Sequence, residues 1–227
     1  ISKRTKTILI LKVLGNCTKM TELMHLIKRH KLIMIEDTCE SLGTKFKNKY
    51  LGTFGDFSSF SFYSSHQISS GEGGMICCKS NEDHEIIKSL RAHGWSRGLK
   101  NEKKIASSNK HLDSRFIFYN SGFNLRSTDI AASIGLNQFK DLDKFIKNRS
   151  TNRVRILKSL KKNKKIEKNI EFIEANNHVK ASWFGIPIIL SKNINRNKFL
   201  KKIEKIGVET RPIISGNFLK QPSIKKY

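Results

Sequence analysis

Cysteine is scarce in this chain of 227 residues: four in all, scattered as Cys17, Cys39 and the adjacent Cys77 and Cys78. Without C-x-x-C spacing or a secretory leader they suggest neither a disulfide framework nor a zinc motif, and they read as reduced thiols. Long apolar runs are missing as well. No stretch approaches the roughly 18 apolar residues of a membrane helix, and the opening ISKRTKTILILKVLG is broken by Lys12. Membrane insertion is therefore not expected, and the chain reads as soluble and cytoplasmic. Acidic residues are few, 19 Asp and Glu against 44 Lys and Arg, for a net charge of +25. Such an excess suits polyanions. Yet lysines outnumber arginines three to one and spread along the chain, densest at Lys158–Lys168, the pattern of solvated faces rather than of a phosphate-reading groove. Nucleic acid is not expected as the partner.

What is present suffices for a core. At 37% hydrophobic residues the chain can build one large domain or two small ones. Thr7–Val13 reads as a buried strand. Thr18, Thr21 and Glu22 open an amphipathic helix with Leu23, Leu26 and Ile27 on one face, and Leu32–Ile35 is a second strand ending in Glu36 and Asp37. Strand, helix and strand at this spacing make a βαβ unit, hence a parallel sheet with a right-handed crossover. Asp37 then stands at the carboxyl end of a parallel strand, where ligands of open α/β sheets collect. Gly43–Asp56 reads as a turn-rich excursion, Phe57–Tyr63 and Met75–Cys78 as further strands, Asp83–His93 as a helix and Gly98–His111 as a polar loop. Ser127–Leu136 reads as a helix with small residues for close packing, followed by a long amphipathic helix over Gln138–Leu160. Beyond a lysine-rich linker at Lys161–Lys168, strands are expected at Ile170–Ile173, Trp183–Leu190 and Val208–Arg211, with a helix over Asn195–Ile206. The chain divides on this reading into a large domain over 1–137, a connecting helix over 138–160 and a smaller α+β domain over 161–227.

The run Ser61-Phe62-Tyr63-Ser64-Ser65-His66-Gln67-Ile68-Ser69-Ser70-Gly71-Glu72-Gly73-Gly74-Met75 sets an imidazole between hydroxyls and a glycine cluster, a combination suited to an anionic, planar ligand. Histidine as a residue type shuttles protons near neutrality. Taken alone, a histidine in a serine-rich loop is more often a solvated polar residue, and an aspartate at a strand end suits capping a turn. Gly71, Gly73 and Gly74 lack the G-x-G-x-x-G order before a helix and read as turn formers. Arg91, His93 and Arg97 around Gly94 suit an anion site and a cationic helix end equally, while Trp95 and Trp183 read as space-filling aromatics.

Together with the blocks E-D-T-C-E-S-L-G, G-T-F-G-D-F-S-S-F-S-F-Y, R-A-H-G-W, G-F-N-L-R-S-T-D-I-A-A-S-I-G-L-N-Q-F and V-E-T-R-P-I, this run resembles the DegT/StrS family of pyridoxal-phosphate sugar aminotransferases and dehydratases over nearly the whole chain. The resemblance implies an α/β, fold-type-I architecture: a mixed, mostly parallel sheet flanked by helices, with part of a small α+β C-terminal domain. It implies that Asp37 contacts the pyridine nitrogen of the cofactor, that Glu40 stands near the ring hydroxyl where glutamine is common, and that Ser61 binds the phosphate. Asn124 would reach that phosphate from the neighbouring subunit, so the site would be shared across a homodimer. The C-terminal block implies that Arg211 and Asn217 contact a sugar nucleotide.

In the family motif S-F-x-x-x-K, a lysine tethers the cofactor; here the position is His66. The resemblance therefore implies pyridoxal 5′-phosphate or pyridoxamine 5′-phosphate bound without a covalent tether, with glutamate as amino donor and His66 as the catalytic proton carrier. The replacement looks like the sugar 3-dehydratase branch, which acts at C3 of a 4-keto-6-deoxy sugar nucleotide, here GDP-linked, in deoxysugar and O-antigen polysaccharide synthesis. A CDP-sugar branch carries an iron–sulfur cluster with most of its cysteines downstream of the histidine; no cysteine follows Cys78, so no metal is expected. An aminotransferase of the same family and a catalytically inactive basic binding module are the alternatives. Family members carry an upstream Gly/Ser/Thr-rich segment with further phosphate donors. Nothing before Ile1 supplies it, so the chain reads as a piece of a longer protein, whose activity the chain alone need not show.

Overall fold

The computed structural model describes residues 1–226, which fall into two compact units: residues 1–150 with 175–184, and residues 151–174 with 185 onward. In the first unit the strands are β1 (Thr7–Leu11), β2 (Ile33–Asp37), the short pair β3 (Lys45–Phe46) and β4 (Lys49–Tyr50), β5 (Phe57–Ser61) and β6 (Gly74–Cys78). Four of them form one sheet in the order β1-β2-β5-β6, with β1, β2 and β5 parallel and β6 antiparallel at the edge. The mostly parallel α/β architecture expected of the sequence is thus present.

Helix α1 (Met20–His30) makes the crossover from β1 to β2, and Lys31 ends it in the left-handed region at φ 50°. Its apolar face buries Met20 and Ile27 against Cys17, Leu32, Met34, Phe46 and Leu51, each large aliphatic side chain contributing about 1.5–3 kcal/mol by leaving water. Strand alternation puts Glu36 on the same side as Met34, fully buried. Its Oε1 accepts from the N–H groups of Phe54 at 2.8 Å and Gly55 at 2.7 Å, which fixes the turn entering β5. Lys12 is buried as well, with Nζ 2.8 Å from the Met20 sulfur; burial lowers its proton affinity, and Glu36 and Cys17 oppose that shift. The opposite face of the sheet leaves Leu9, Leu11 and Ile33 exposed.

Residues 175–184 return to this unit. Val179 and Lys180 pair antiparallel with β3. Thr44 Oγ1 donates to the Gly15 carbonyl at 2.8 Å and accepts from Ser182 N–H at 3.0 Å. Gly15 lies at φ +81°, and a Cβ there would collide with the Ser182 carbonyl, so close backbone approach and a left-handed turn both demand glycine.

Several boundaries differ from the sequence expectations. The first strand stops at Leu11, short of the expected Val13, which lies instead in a 3-10 turn over Val13–Gly15. Helix α2 (Asn81–Arg91) starts at Asn81, not Asp83, because Ser80 caps it through the N–H groups of Glu82 and Asp83. Helix α3 (Glu102–Ser108) lies within the expected loop. Gln138 and Phe139 belong to α4 (Asp129–Phe139), separated from α5 (Leu142–Leu160) by a turn in which Asp141 N–H donates to the Gln138 carbonyl.

In the second unit, the expected linker holds a helix over Lys164–Asn169. Ile170–Phe172 pairs antiparallel with Ile188–Leu190, the only part of Trp183–Leu190 that forms a strand. Val208–Arg211 forms none. Within this unit, Glu174 pairs with Arg153 at 3.1 Å and Lys161 at 3.3 Å. No helix among the described residues is long and apolar enough to cross a membrane.

Candidate active site

Parallel register aligns the carboxyl ends of the strands: Leu11 lies beside Asp37, and Asp37 beside Ser59, from which β5 runs on to Ser61. Asp37 Oδ1 accepts from the Cys39 N–H at 3.1 Å and from the Ser59 hydroxyl at 3.5 Å, which orients the carboxylate. Burial, followed by the hydrogen bond to Asp37, pushes the Cys39 thiol up to about 11, so it stays protonated and unreactive at neutral pH. Ser61 Oγ accepts from the Tyr63 N–H at 3.3 Å, which leaves its own proton to donate.

His66 follows in a turn whose N–H donates to the Tyr63 carbonyl at 3.0 Å. Its ring stands edge-on to Tyr63, with centroids 6.0 Å apart, and to Phe184 at 5.4 Å. Nδ1 is buried without a hydrogen-bond partner. The next residue, Gln67, is buried and donates from Nε2 to the carbonyls of Glu40 at 2.5 Å and Ser182 at 3.4 Å. That strap ties the His66 turn to the loop after β2. The Glu40 carboxylate accepts from the Leu14 N–H at 2.8 Å, a backbone made available by the left-handed Leu14 at φ 57°.

Asp37, Glu40, Ser61 and His66 thus share the carboxyl edge of one sheet. Asn124 lies in an exposed loop bridged to Ala92, where its Oδ1 accepts from Arg126 at 3.4 Å; no hydrogen bond joins it to those four. Arg211 and Asn217 belong to the second unit, where Arg211 pairs with Glu209 at 2.9 Å and Asn217 caps a short turn at Leu219. Four residues at the site were not singled out from the sequence: Ser59, Gln67, Phe184 and Arg149, whose guanidinium lies 6.0 Å from the Phe184 ring. Only the Ser-rich run around His66 gave any signal for Gln67; Phe184 and Arg149 reach the site by tertiary packing from more than 80 residues downstream.

An open, mostly parallel sheet with polar and ionisable groups gathered at its carboxyl edge defines a ligand-binding α/β protein, and solved structures that it resembles have the aminotransferase fold. Residues 1–227 match the DegT/DnrJ/EryC1/StrS aminotransferase family, and the chain belongs to it. It is 35% identical over 231 residues to a GDP-4-keto-6-deoxy-D-mannose 3-dehydratase of Escherichia coli O55:H7, covering 100% of this chain and 58% of that protein. It is 30% identical to a dTDP-4-dehydro-2,6-dideoxy-D-glucose 3-dehydratase of Saccharopolyspora spinosa, covering 100% of this chain and 51% of that one. Among solved structures, it resembles the Escherichia coli GDP-4-keto-6-deoxy-D-mannose 3-dehydratase with bound hydrated PLP at TM-score 0.89 and 33% identity, over 100% of this chain and 58% of the other. The chain therefore spans a little over half the length of the relatives it matches.

Proposed function

We propose that the protein dehydrates a GDP-linked 4-keto-6-deoxy sugar at C3, using a non-covalently bound pyridoxal or pyridoxamine 5′-phosphate, in deoxysugar synthesis for a surface polysaccharide. The observation that carries this reading is His66: it occupies the position of the tethering lysine, and its buried Nδ1 has no partner. An orphaned buried nitrogen is costly in a protein interior, and with Nδ1 enclosed the imidazole presents Nε2 to a ligand. The other groups fit the cofactor as well. Asp37, oriented by Cys39 and Ser59, suits a protonated pyridine nitrogen; Glu40 lies near for the ring hydroxyl; Ser61 keeps a proton to donate to phosphate. Asn124, in its exposed loop, suits a role at the site of a second subunit in a homodimer. Arg211 and Asn217 are assigned to the sugar nucleotide, and the cytoplasm is the compartment where such substrates are made.

The bound cofactor supplies an amine that condenses with the sugar ketone and a ring that accepts electrons. What His66 adds is a proton site at Nε2, since Nδ1 is enclosed, and Gln67 holds the backbone from which that imidazole projects. A histidine at this position cannot form a covalent tether, so the amine would enter with pyridoxamine phosphate or come from a donor such as glutamate.

The test is to incubate the protein with pyridoxal phosphate, glutamate and GDP-4-keto-6-deoxymannose and identify the products by mass spectrometry. Loss of the C3 oxygen with release of ammonia, abolished by His66→Ala, is the expected result. A stable 4-amino sugar would replace the dehydratase with an aminotransferase, and no turnover with any nucleotide sugar would leave only a binding role.

A further inference from the structure

We propose that Arg149 is an anion-binding residue of this site, holding the diphosphate of the nucleotide sugar one phenyl ring away from His66. The inference deepens the function proposed above and rests on it. Arg149 lies on α5 at intermediate burial, with Cζ 6.0 Å from the centroid of Phe184, and the same ring meets His66 at 5.4 Å. Burial lowers the proton affinity of the guanidinium, and no charged neighbour offsets that shift. The acids that form ion pairs among the described residues are Asp56, Glu85, Asp113, Asp141, Glu174 and Glu209, each with another partner.

Phe184 alone does not account for the arrangement, because about 6 Å is the outer limit at which a cation is held by a ring face. A guanidinium carries five donors in a rigid plane. Half-removed from water and without a carboxylate, it calls for an acceptor, and paired oxygens of phosphate match it two at a time. Spacing selects the diphosphate over the carboxylate of the amino donor. The carbon worked on must meet His66, and the diphosphate is attached across the sugar ring from it, about the span of one aromatic ring. The donor's carboxylate would instead lie directly against the reacting carbon.

Titration calorimetry with GDP and, separately, with L-glutamate on the wild type, Arg149→Ala and Arg149→Lys tests the assignment, with pyridoxal-phosphate uptake and melting temperature measured alongside. Arg149→Ala is expected to weaken GDP binding at least about tenfold, as truncating one partner of a partly buried charge pair does. Arg149→Lys should recover only part of it, because an ammonium cannot fork. Cofactor uptake and glutamate binding should stay as in the wild type. Unchanged GDP affinity in Arg149→Ala, a loss confined to glutamate, or no GDP binding by the wild type would each overturn the proposal. If Arg149→Ala melts early, Arg149→Gln, which keeps part of the stem and an amide donor, reads the same quantity. Failure of the wild type to take up pyridoxal phosphate would sink the proposed function, whereas the GDP arm decides Arg149 independently.

Discussion

Asp37 and Cys39 constrain each other across two residues, and the constraint is measurable. With its thiol raised to about 11 from an ordinary 9.0, Cys39 still holds its proton in the folded chain at a pH where the unfolded chain has released it. Stability therefore falls as pH rises between about 9 and 11. Lys12, held below its ordinary 10.5, acts in the opposite sense, so the comparison must be by difference. The melting temperature of Cys39→Ser relative to the wild type should climb from pH 8 to pH 11, and a pH-independent difference would refute the assignment. Alkylation by iodoacetamide at pH 8 should likewise label the exposed Cys77 well before Cys39, with Asp37→Asn narrowing the gap; equal labelling rates read by peptide mass spectrometry would contradict it. His66→Lys provides the complementary residue-scale test. It restores an amine at the tethering position, and pyridoxal phosphate should then become fixable by borohydride with retention of the label on the peptide. Absence of any label would mean that residue 66 does not reach the cofactor.

At the scale of elements, the crossing of Gly15 under Ser182 is the tightest joint near the site. Gly15→Ala adds a methyl group against a carbonyl and forces alanine to φ +81°, so it should cost about 2–4 kcal/mol in urea denaturation; a change below about 0.5 kcal/mol would show the joint to be soft. Nothing in a single glycine between Leu14 and Asn16 announces this crossing. The βαβ core around Asp37 was readable because its signals are local: apolar runs, an amphipathic helix and a return strand of the right length. The same signals failed where tertiary contacts decide. The apolar periodicity of Phe139, Leu142 and Phe145 runs unbroken through the turn at Lys140 and Asp141, so one helix was expected where two exist. Trp183 to Leu190 is apolar enough for a strand, but the Phe184 N–H is taken by the Leu14 carbonyl at 3.2 Å, which leaves pairing only to Ile188–Leu190. The polar helix Glu102–Ser108 has a single buried anchor, Ile105, too little for periodicity to detect. At the site, the resemblance picked out His66, Asp37, Glu40 and Ser61, while the strap through Gln67 and the ring of Phe184 depend on residues brought together only by folding.

The molecule as a whole is not cut where its sequence would be cut. The first unit consists of residues 1–150 and 175–184, with 151–174 assigned to the other unit. A chain ending at residue 150 lacks the Val179–Lys180 pairing to β3, the Thr44–Ser182 hydrogen bond and one of the two rings against His66. It should unfold at lower urea, with a shallower transition by circular dichroism, than a chain ending at residue 184. Equal midpoints would show that residues 175–184 contribute nothing to that unit. This arrangement also sets an order of events during synthesis. At about 5–20 residues per second, the ribosome needs about 2–7 s to pass from residue 150 to residue 184. Throughout that interval the short β3–β4 pair waits for its third strand, and His66 for the second of its two aromatic neighbours, so the nascent chain is open to chaperones and proteases beside the imidazole where the mature protein would bind its ligands.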